Sequence, residues 1–319
     1  MTEIASLHEP VLLERCIEIL GEALQGDSAI LVDGTLGLGG HSEAFLKRFP
    51  KLTLVGIDRD ENALKLAGER LAPFANRIHL VQAIYSEIPE VLEGLGINLA
   101  DAVLLDLGVS SMQLDQSDRG FAYSFNAPLD MRMDSSADLT AAKVLNQYSE
   151  EELARIFKDY GEERYAKPIA KQIVKSRVQT PFVQSKQLTD IIAKVVPFIP
   201  GKSSGHPAKR VFQALRIEVN SELEILKETI PAVIDALRVG GRVVVLAYQS
   251  LEDRIVKQAL VAAATSSAPI DFPIELAQHA PVVRLLVRGA EKASEEEIQI
   301  NPRSASVRLR AAEKIRNAA

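Results

Sequence analysis

Three short apolar runs in the first third of the chain each end at an aspartate: AILVD (29–33), LTLVGID (52–58) and ADAVLLDLG (100–108), the last with Asp106 near its end. A fourth run, RIHLVQA (77–83), lies between the second and third. Apolar runs of this length, bounded by polar and turn residues, read as strands buried on both faces. Helical patterns separate them at about 41–48, 61–71 and 88–95, and another precedes them at 11–25. Strands alternating with helices build βαβ units and a parallel sheet. Ligands of such sheets bind beyond the carboxyl ends of the strands, where Asp33, Asp58 and Asp106 fall.

After Asp106 the alternation stops. From about 110 to 209 no buried strand is predicted, and helical patterns appear at 151–177 and 185–199, followed by the loop GKSSGHP (201–207). Helices are predicted at 208–226 and 231–238, and the strand pattern returns with GGRVVVLAY (240–248). Two late runs, PVVRLLVR (281–288) and SASVRLRAA (304–312), are expected to pair as an antiparallel hairpin at the sheet edge. The expected fold class is α/β: a Rossmann-like sheet domain from 1–110 and 208–319, with a helical insertion, 111–207, after the fourth strand.

A length of 319 residues accommodates either one interrupted domain or two. The one cysteine, Cys16, precludes an internal disulfide framework and fits a reducing compartment. The start, MTEIASLHEP, does not resemble a signal peptide, and no apolar run approaches the roughly 20 residues of a membrane span, so a cytoplasmic location is expected. His8, His79, His206 and His279 are scattered and give no zinc spacing, so no metal is expected. The net charge of −6 argues against a protein that coats nucleic acid with its whole surface, but leaves room for a local basic site.

The turn after the first strand, VDGTLGLGGHSEAFL (32–46), is rich in glycine. A phosphate-cradling loop needs lysine after its second glycine, and Gly40 stands there after Gly34 and Gly39. A dinucleotide loop needs a third glycine, and Ser42 stands there after Gly37 and Gly39. The remaining pattern, Asp33 followed at alternate positions by Thr35, Gly37 and Gly39, suits S-adenosylmethionine. That molecule has no pyrophosphate but has a ribose, whose two hydroxyls an ionised carboxylate such as Asp58 can accept. A nicotinamide enzyme would use the same acid, so Asp58 alone does not decide.

The stretch DLGVSSMQLDQSDRGFAYSFNAPLDMRMD (106–134) directly follows the fourth strand and holds Phe121, Tyr123, Phe125, Arg119 and Arg132. Together with YGEER (160–164), HPAKRVFQALRIEVNSEL (206–223), QSLEDRIVK (249–257) and NPRSASVRLR (301–310), it resembles the RsmH (MraW) family. The resemblance runs from HEPVLL (8–13) to about Arg310. It implies an S-adenosylmethionine-dependent methyltransferase sheet and methylation of the N4 amine of a decoding-centre (P-site) cytidine in 16S ribosomal RNA of the small subunit. It implies an insertion domain for substrate recognition and a protein that is a monomer or homodimer. The cofactor residues it implies are Gly39, Gly40, His41, Asp58, Tyr85, Asp106 and Gln113. Tyr85 stands where the family usually has phenylalanine, and an aromatic for stacking is kept.

Two departures stand out. The family commonly reads FHSLEDR where this chain reads YQSLEDR, so Gln249 replaces a histidine. Ala305 and Val307 replace residues of the family's NPRSRSAKLR, removing one basic side chain. The aligned amine must lose a proton during or after transfer. Asp106, or the carbonyls just after it, is the candidate acceptor, the rival being that Asp106 serves only the cofactor. Phe121, Tyr123 and Phe125 are candidate stacking partners for an unstacked base. Candidate phosphate contacts are Arg132, Lys209, Arg210, Arg216, Arg254 and Arg303, with Arg308 and Arg310 in the basic tail. The alternatives are a methyltransferase for another RNA or a small molecule, a non-catalytic ribosome-assembly factor, and a nicotinamide oxidoreductase.

Overall fold

The computed structural model describes residues 10–108, 119–121, 123, 126–197, 206–269 and 276–318. The chain divides into two compact units, Met1–Gly108 with Leu223–Ala319, and Val109–Glu222.

Among its described residues the first unit carries one sheet of seven strands: β1 (Ile30–Asp33), β2 (Thr53–Asp58), β3 (Ile78–Gln82), β4 (Ala100–Asp106), β5 (Leu237–Ala247), β6 (Val283–Leu285) and β7 (Arg308–Lys314). The order is β3-β2-β1-β4-β5-β7-β6. The first five are parallel, and β7 pairs antiparallel with both β5 and β6. The order reverses beside β1, which opens the crevice where such sheets bind ligands. The late hairpin expected at the edge is thus present, with β7 inserted between β5 and β6.

Alternate residues along each strand enter opposite cores, which is why the runs are apolar throughout. Leu31, Leu54, Leu104 and Leu246 pack with Cys16, Ile19 and Leu20 of α1 (Leu13–Gly21), Phe45 and Leu46 of α2 (Gly40–Arg48), and Ala67 and Leu71 of α3 (Glu61–Leu71). Val32, Val55, Val103 and Val245 pack on the other face with α4 (Ile88–Gly94), and with two helices of the second half described below.

The second unit is helical: α5 (Ala141–Gln147), α6 (Glu150–Asp159), α7 (Ala166–Arg177), α8 (Ser185–Val195) and α9 (Lys209–Asn220). Its core joins Leu153, Ile156 and Phe157 to Ile169, Ile173, Leu188, Ile192, Val211, Phe212 and Leu215. The continuous pattern at 151–177 is two helices, broken at Gly161 and at Glu162, which has φ of 50°. A Cβ on Gly161 would lie 2.5 Å from the Arg210 carbonyl, so the glycine admits the close approach of α9.

The expected boundary at 207/208 moves to 222/223. Helix α9 buries Val211, Phe212, Ala214 and Leu215 in the helical core and so belongs to the insertion. The helix expected over 208–226 ends at Ser221, whose left-handed φ of 50° breaks it. The next helix, α10 (Glu222–Ala236), runs through Pro231 rather than starting there. After β5 come α11 (Ser250–Ala263) and the short α12 (Glu295–Ile300). Leu226, Ile230 and Val233 of α10 and Val256 and Leu260 of α11 complete the second sheet face.

Candidate functional site

The carboxyl ends of β1, β2, β4 and β5 converge in the first unit. Asp33 closes β1 and ties down the turn that follows. One carboxylate oxygen accepts from the Thr35 amide at 3.2 Å and the other from the Ser42 hydroxyl at 2.6 Å. Burial pushes Asp33 up to about 6, against the opposing pull of the Ser42 bond and of His41. Asp33 is therefore an internal brace for the turn and for the start of α2.

Gly37 and Gly39 take positive φ, 52° and 73°, which only glycine adopts without strain. Gly39 is the N-cap of α2, and among the described residues no side chain caps that helix. The amide of Gly37 donates to Asp58 at 2.8 Å, and that of Asp60 donates to the other Asp58 oxygen at 2.9 Å. Burial raises the Asp58 carboxyl, and these two amides pull it back. An ionised carboxylate offers about four acceptor positions, and the two amides take one on each oxygen. Half-buried Asp58 thus keeps one position on each oxygen to receive a pair of neighbouring hydroxyls.

Asp106 ends β4, and its amide donates to the Thr35 hydroxyl at 2.6 Å. Its Oδ1 accepts from the Tyr248 hydroxyl at 2.7 Å, and its Oδ2 lies 3.7 Å from His41 Nδ1. His41 Nε2 is 3.0 Å from the Val11 carbonyl, which can only accept, so that nitrogen carries a proton. Burial raises the Asp106 carboxyl, and His41 and the Tyr248 bond oppose the rise. Burial and the neighbouring carboxylate push the Tyr248 phenol far above its ordinary range, so it stays a donor.

Tyr248 sits just past β5. The family comparison draws attention to Gln249 rather than to Tyr248, although an aromatic with a hydroxyl at a strand end is itself a signal. Gln249 caps α11 through its backbone. Its amide and that of Tyr248 both donate to buried Glu252, at 3.1 and 3.0 Å. The Gln249 side-chain oxygen is buried and accepts no hydrogen bond among the described residues. Gln249 is thus built into the N-terminus of α11, and supplies no imidazole.

Tyr85 lies in a single turn after β3 and is half-buried, its Cβ near the position a Cβ on Gly34 would take. Gln113 and Phe125 lie outside the described residues. The structure brings Gly39, Gly40, His41, Asp58, Tyr85 and Asp106 to one edge of the sheet, on the loops and helix start that follow β1, β2, β3 and β4.

Several expected RNA contacts are spent elsewhere. Phe121 is 7% exposed and belongs to the core of the helical unit, so it offers no face to a base. Arg132 donates to both oxygens of Asp130 and to the carbonyls of Ser135 and Ala137, so its guanidinium holds its own loop. Arg216, with a side chain 13% exposed, makes a two-pronged pair with Glu222. Arg308 and Arg310 both donate to Asp253, clamping β7 to the start of α11. Lys209, Arg210, Arg254 and Arg303 are exposed, and Tyr123 stacks on His206 at 4.7 Å between ring centres. Among the described residues no cluster of three or more histidine, cysteine or acidic side chains is placed to hold a metal ion. No helix of the described residues is long and apolar enough to cross a membrane.

The model of the MraW methylase family matches residues 5–315. A protein of Saccharopolyspora erythraea named ribosomal RNA small subunit methyltransferase H is 57% identical over 311 residues, covering 98% of this chain and 94% of that one. A protein of the same name from Clavibacter sepedonicus is 59% identical over 310 residues, covering 97% of both chains. Among solved structures, an rRNA methylase from Streptococcus thermophilus aligns with a TM-score of 0.44 and 13% identity over 97% of this chain and 99% of that one.

Proposed function

The chain belongs to the MraW methylase family, and on that footing we propose that it transfers a methyl group from S-adenosylmethionine to the N4 amine of a decoding-centre cytidine in 16S ribosomal RNA. The observation that carries this reading is the likeness, along nearly the whole chain, to relatives named as small-subunit ribosomal RNA methyltransferases. The resemblance of DLGVSSMQLD and its companion motifs to the RsmH pattern supplies the base and the atom. The cytoplasm, where ribosomal subunits are made, is the corresponding location.

The residues at the sheet edge fit the cofactor. Asp58 keeps one acceptor position on each oxygen, which suits the two ribose hydroxyls. The start of α2, at Gly40 and His41, presents amides and the positive helix end, which suit the methionine carboxylate, while the Gly39 amide donates to the Leu36 carbonyl and shapes the turn. Tyr85 is the aromatic available to the adenine. Gln113 completes the set by resemblance. Ser42 stands where a dinucleotide loop needs its third glycine, and this disfavours the nicotinamide alternative.

When bound, S-adenosylmethionine supplies an electrophilic methyl group. The lone pair of a cytosine amine is delocalised into the ring, so the protein must hold the amine in line and take a proton from it. Asp106 is the acceptor of that proton in this proposal. The Tyr248 hydroxyl occupies Oδ1 and leaves Oδ2, on the His41 side, to face the reacting group. The helical unit recognises the RNA, with Lys209 and Arg210 as its phosphate contacts, and Arg254 and Arg303 are the candidate phosphate contacts of the sheet unit.

The test is methyl transfer from labelled S-adenosylmethionine to small subunits prepared without the modification, followed by digestion and mass spectrometry of the nucleosides. Label in N4-methylcytidine is the expected result. Label in another nucleoside moves the substrate atom. Absence of label with cofactor binding intact refutes the substrate assignment. Asp106→Asn then divides the two roles of that residue: lost turnover with unchanged cofactor affinity makes it the acceptor, and weakened affinity makes it a cofactor ligand.

A further inference from the structure

One stretch of the helical unit carries positive charge alone. Between Glu163 and Asp190 the sequence holds six basic residues, Arg164, Lys167, Lys171, Lys175, Arg177 and Lys186, and no acid. With a net charge of −6 for the whole chain, the rest carries −12. Two of the six are occupied: Arg177 donates to the carbonyls of Leu145 and Tyr148, and Lys186 pairs with Asp190. The remaining four, on α7 and the turn before it, are exposed, and none forms an ion pair among the described residues.

Their spacing is regular. Lys167, Lys171 and Lys175 recur every four residues, which places them along one side of α7 at steps of about 6 Å. The opposite side, Ala166, Ile169, Ala170 and Ile173, is buried in the helical core. That apolar face is already used, so α7 is not built to lie in a membrane surface. Like charges four apart disfavour a helix, and no acid stands three or four residues from Lys171 or Lys175 to relieve them. Several other cations of the same unit are matched: Lys186 with Asp190, Arg155 with Glu218, Arg132 with Asp130, Arg216 with Glu222. A row of unmatched lysines kept against local helix preference is the pattern expected of a surface whose counter-charge comes from a partner.

We infer that Arg164, Lys167, Lys171 and Lys175 form a docking surface for the phosphate backbone of the RNA substrate. The inference rests on the proposed RNA-directed activity and adds to it the element that grips the substrate. A row of evenly spaced point cations suits a row of evenly spaced phosphates. It reads no bases and sets register and affinity alone. The basic contacts expected from the sequence are Arg132, those on α9, Arg254 on α11 and those of the tail, and none lies on α7.

The test is equilibrium binding of the full chain to 16S ribosomal RNA, measured across a salt series. The proteins compared are the wild type, a triple Lys167→Gln, Lys171→Gln, Lys175→Gln variant, and a triple lysine-to-arginine variant at the same positions. Removing three phosphate contacts lowers the slope of log affinity against log salt by about 2 and weakens binding roughly 100-fold near 0.1 M salt. The arginine variant is expected to keep both slope and affinity. Thermal unfolding of the glutamine variant is expected to match the wild type or exceed it, because the like-charge strain is gone. An unchanged slope in the glutamine variant overturns the inference, as does a wild type that does not bind RNA. A lowered slope together with methyl label in an unexpected nucleoside would keep this surface and refute the cytidine assignment, so the two can fail separately.

Discussion

The phenol of Tyr248 donates to Oδ1 of Asp106 at 2.7 Å, tying the residue after β5 to the carboxyl end of β4. The family pattern has phenylalanine at this place, so this chain has added a donor to its candidate acceptor. The groups facing Asp106 are Tyr248 from just past β5, His41 from α2, and the buried Asp33 and Cys16, whose ionised forms it opposes. The hydroxyl stabilises the carboxylate, and burial opposes it. In Tyr248→Phe the Asp106 carboxyl rises further, and the form that accepts a proton appears only at higher pH. The acid limb of the kcat profile should therefore move upward while cofactor affinity is kept. An unmoved limb would make the bond a packing feature.

Asp58 has a second job besides its expected ribose contact, because it accepts from the Gly37 amide of the glycine turn. Asp58→Ala loses two charge-assisted bonds to the cofactor at about 1.5–3 kcal/mol each, so its dissociation constant should rise roughly 10²- to 10⁴-fold. Asp58→Asn keeps acceptance on one oxygen only and should fall between. Calorimetric titration with S-adenosylmethionine measures both, and wild-type affinity in Asp58→Ala would remove the residue from the site.

The sheet was legible because β1, β2 and β4 are apolar on both faces and end in acids, the pattern of strands in a parallel sheet covered on both sides. The edge hairpin was legible from PVVRLLVR and SASVRLRAA, although its position beside β5 was not. The helix boundaries at 161 and 221 were not legible, since Glu162 and Ser221 adopt left-handed φ for reasons of tertiary packing that local propensity does not contain. For the same reason α9 was assigned to the wrong unit: its amphipathic pattern says that one face is buried, not against what. Charge alone misled at Arg132 and Arg216, whose partners Asp130 and Glu222 lie close in sequence but were not paired with them by any pattern.

The buried oxygen of Gln249 has no hydrogen-bond partner among the described residues. Such an oxygen costs about 1–3 kcal/mol. Gln249→Met keeps the length of the side chain and removes the polar atom, and its backbone bond to Glu252 is untouched. The variant should be more stable by an amount of this order, seen as a rise in Tm. A lower Tm would mean that the oxygen is satisfied in solution, by water or by a bound ligand.

Acid should release the clamp between α11 and β7. Asp253 accepts from Arg308 at 2.8 Å and from Arg310 at 2.7 Å, and the two guanidinium groups hold its carboxyl below the ordinary range despite burial. A carboxyl lowered in the folded state contributes stability that is present above its unfolded value, near 3.9, and is lost as pH falls through the lower folded value. Asp253→Asn removes this contribution at every pH. Breaking a buried pair costs about 3–5 kcal/mol, and the figure here should be smaller because the Arg308 side chain is 43% exposed. Chemical denaturation of both proteins from pH 7 down to pH 3 should show a gap that is constant near neutrality and narrows below pH 4. A gap independent of pH would assign the loss to packing around the mutated side chain rather than to the charge of Asp253.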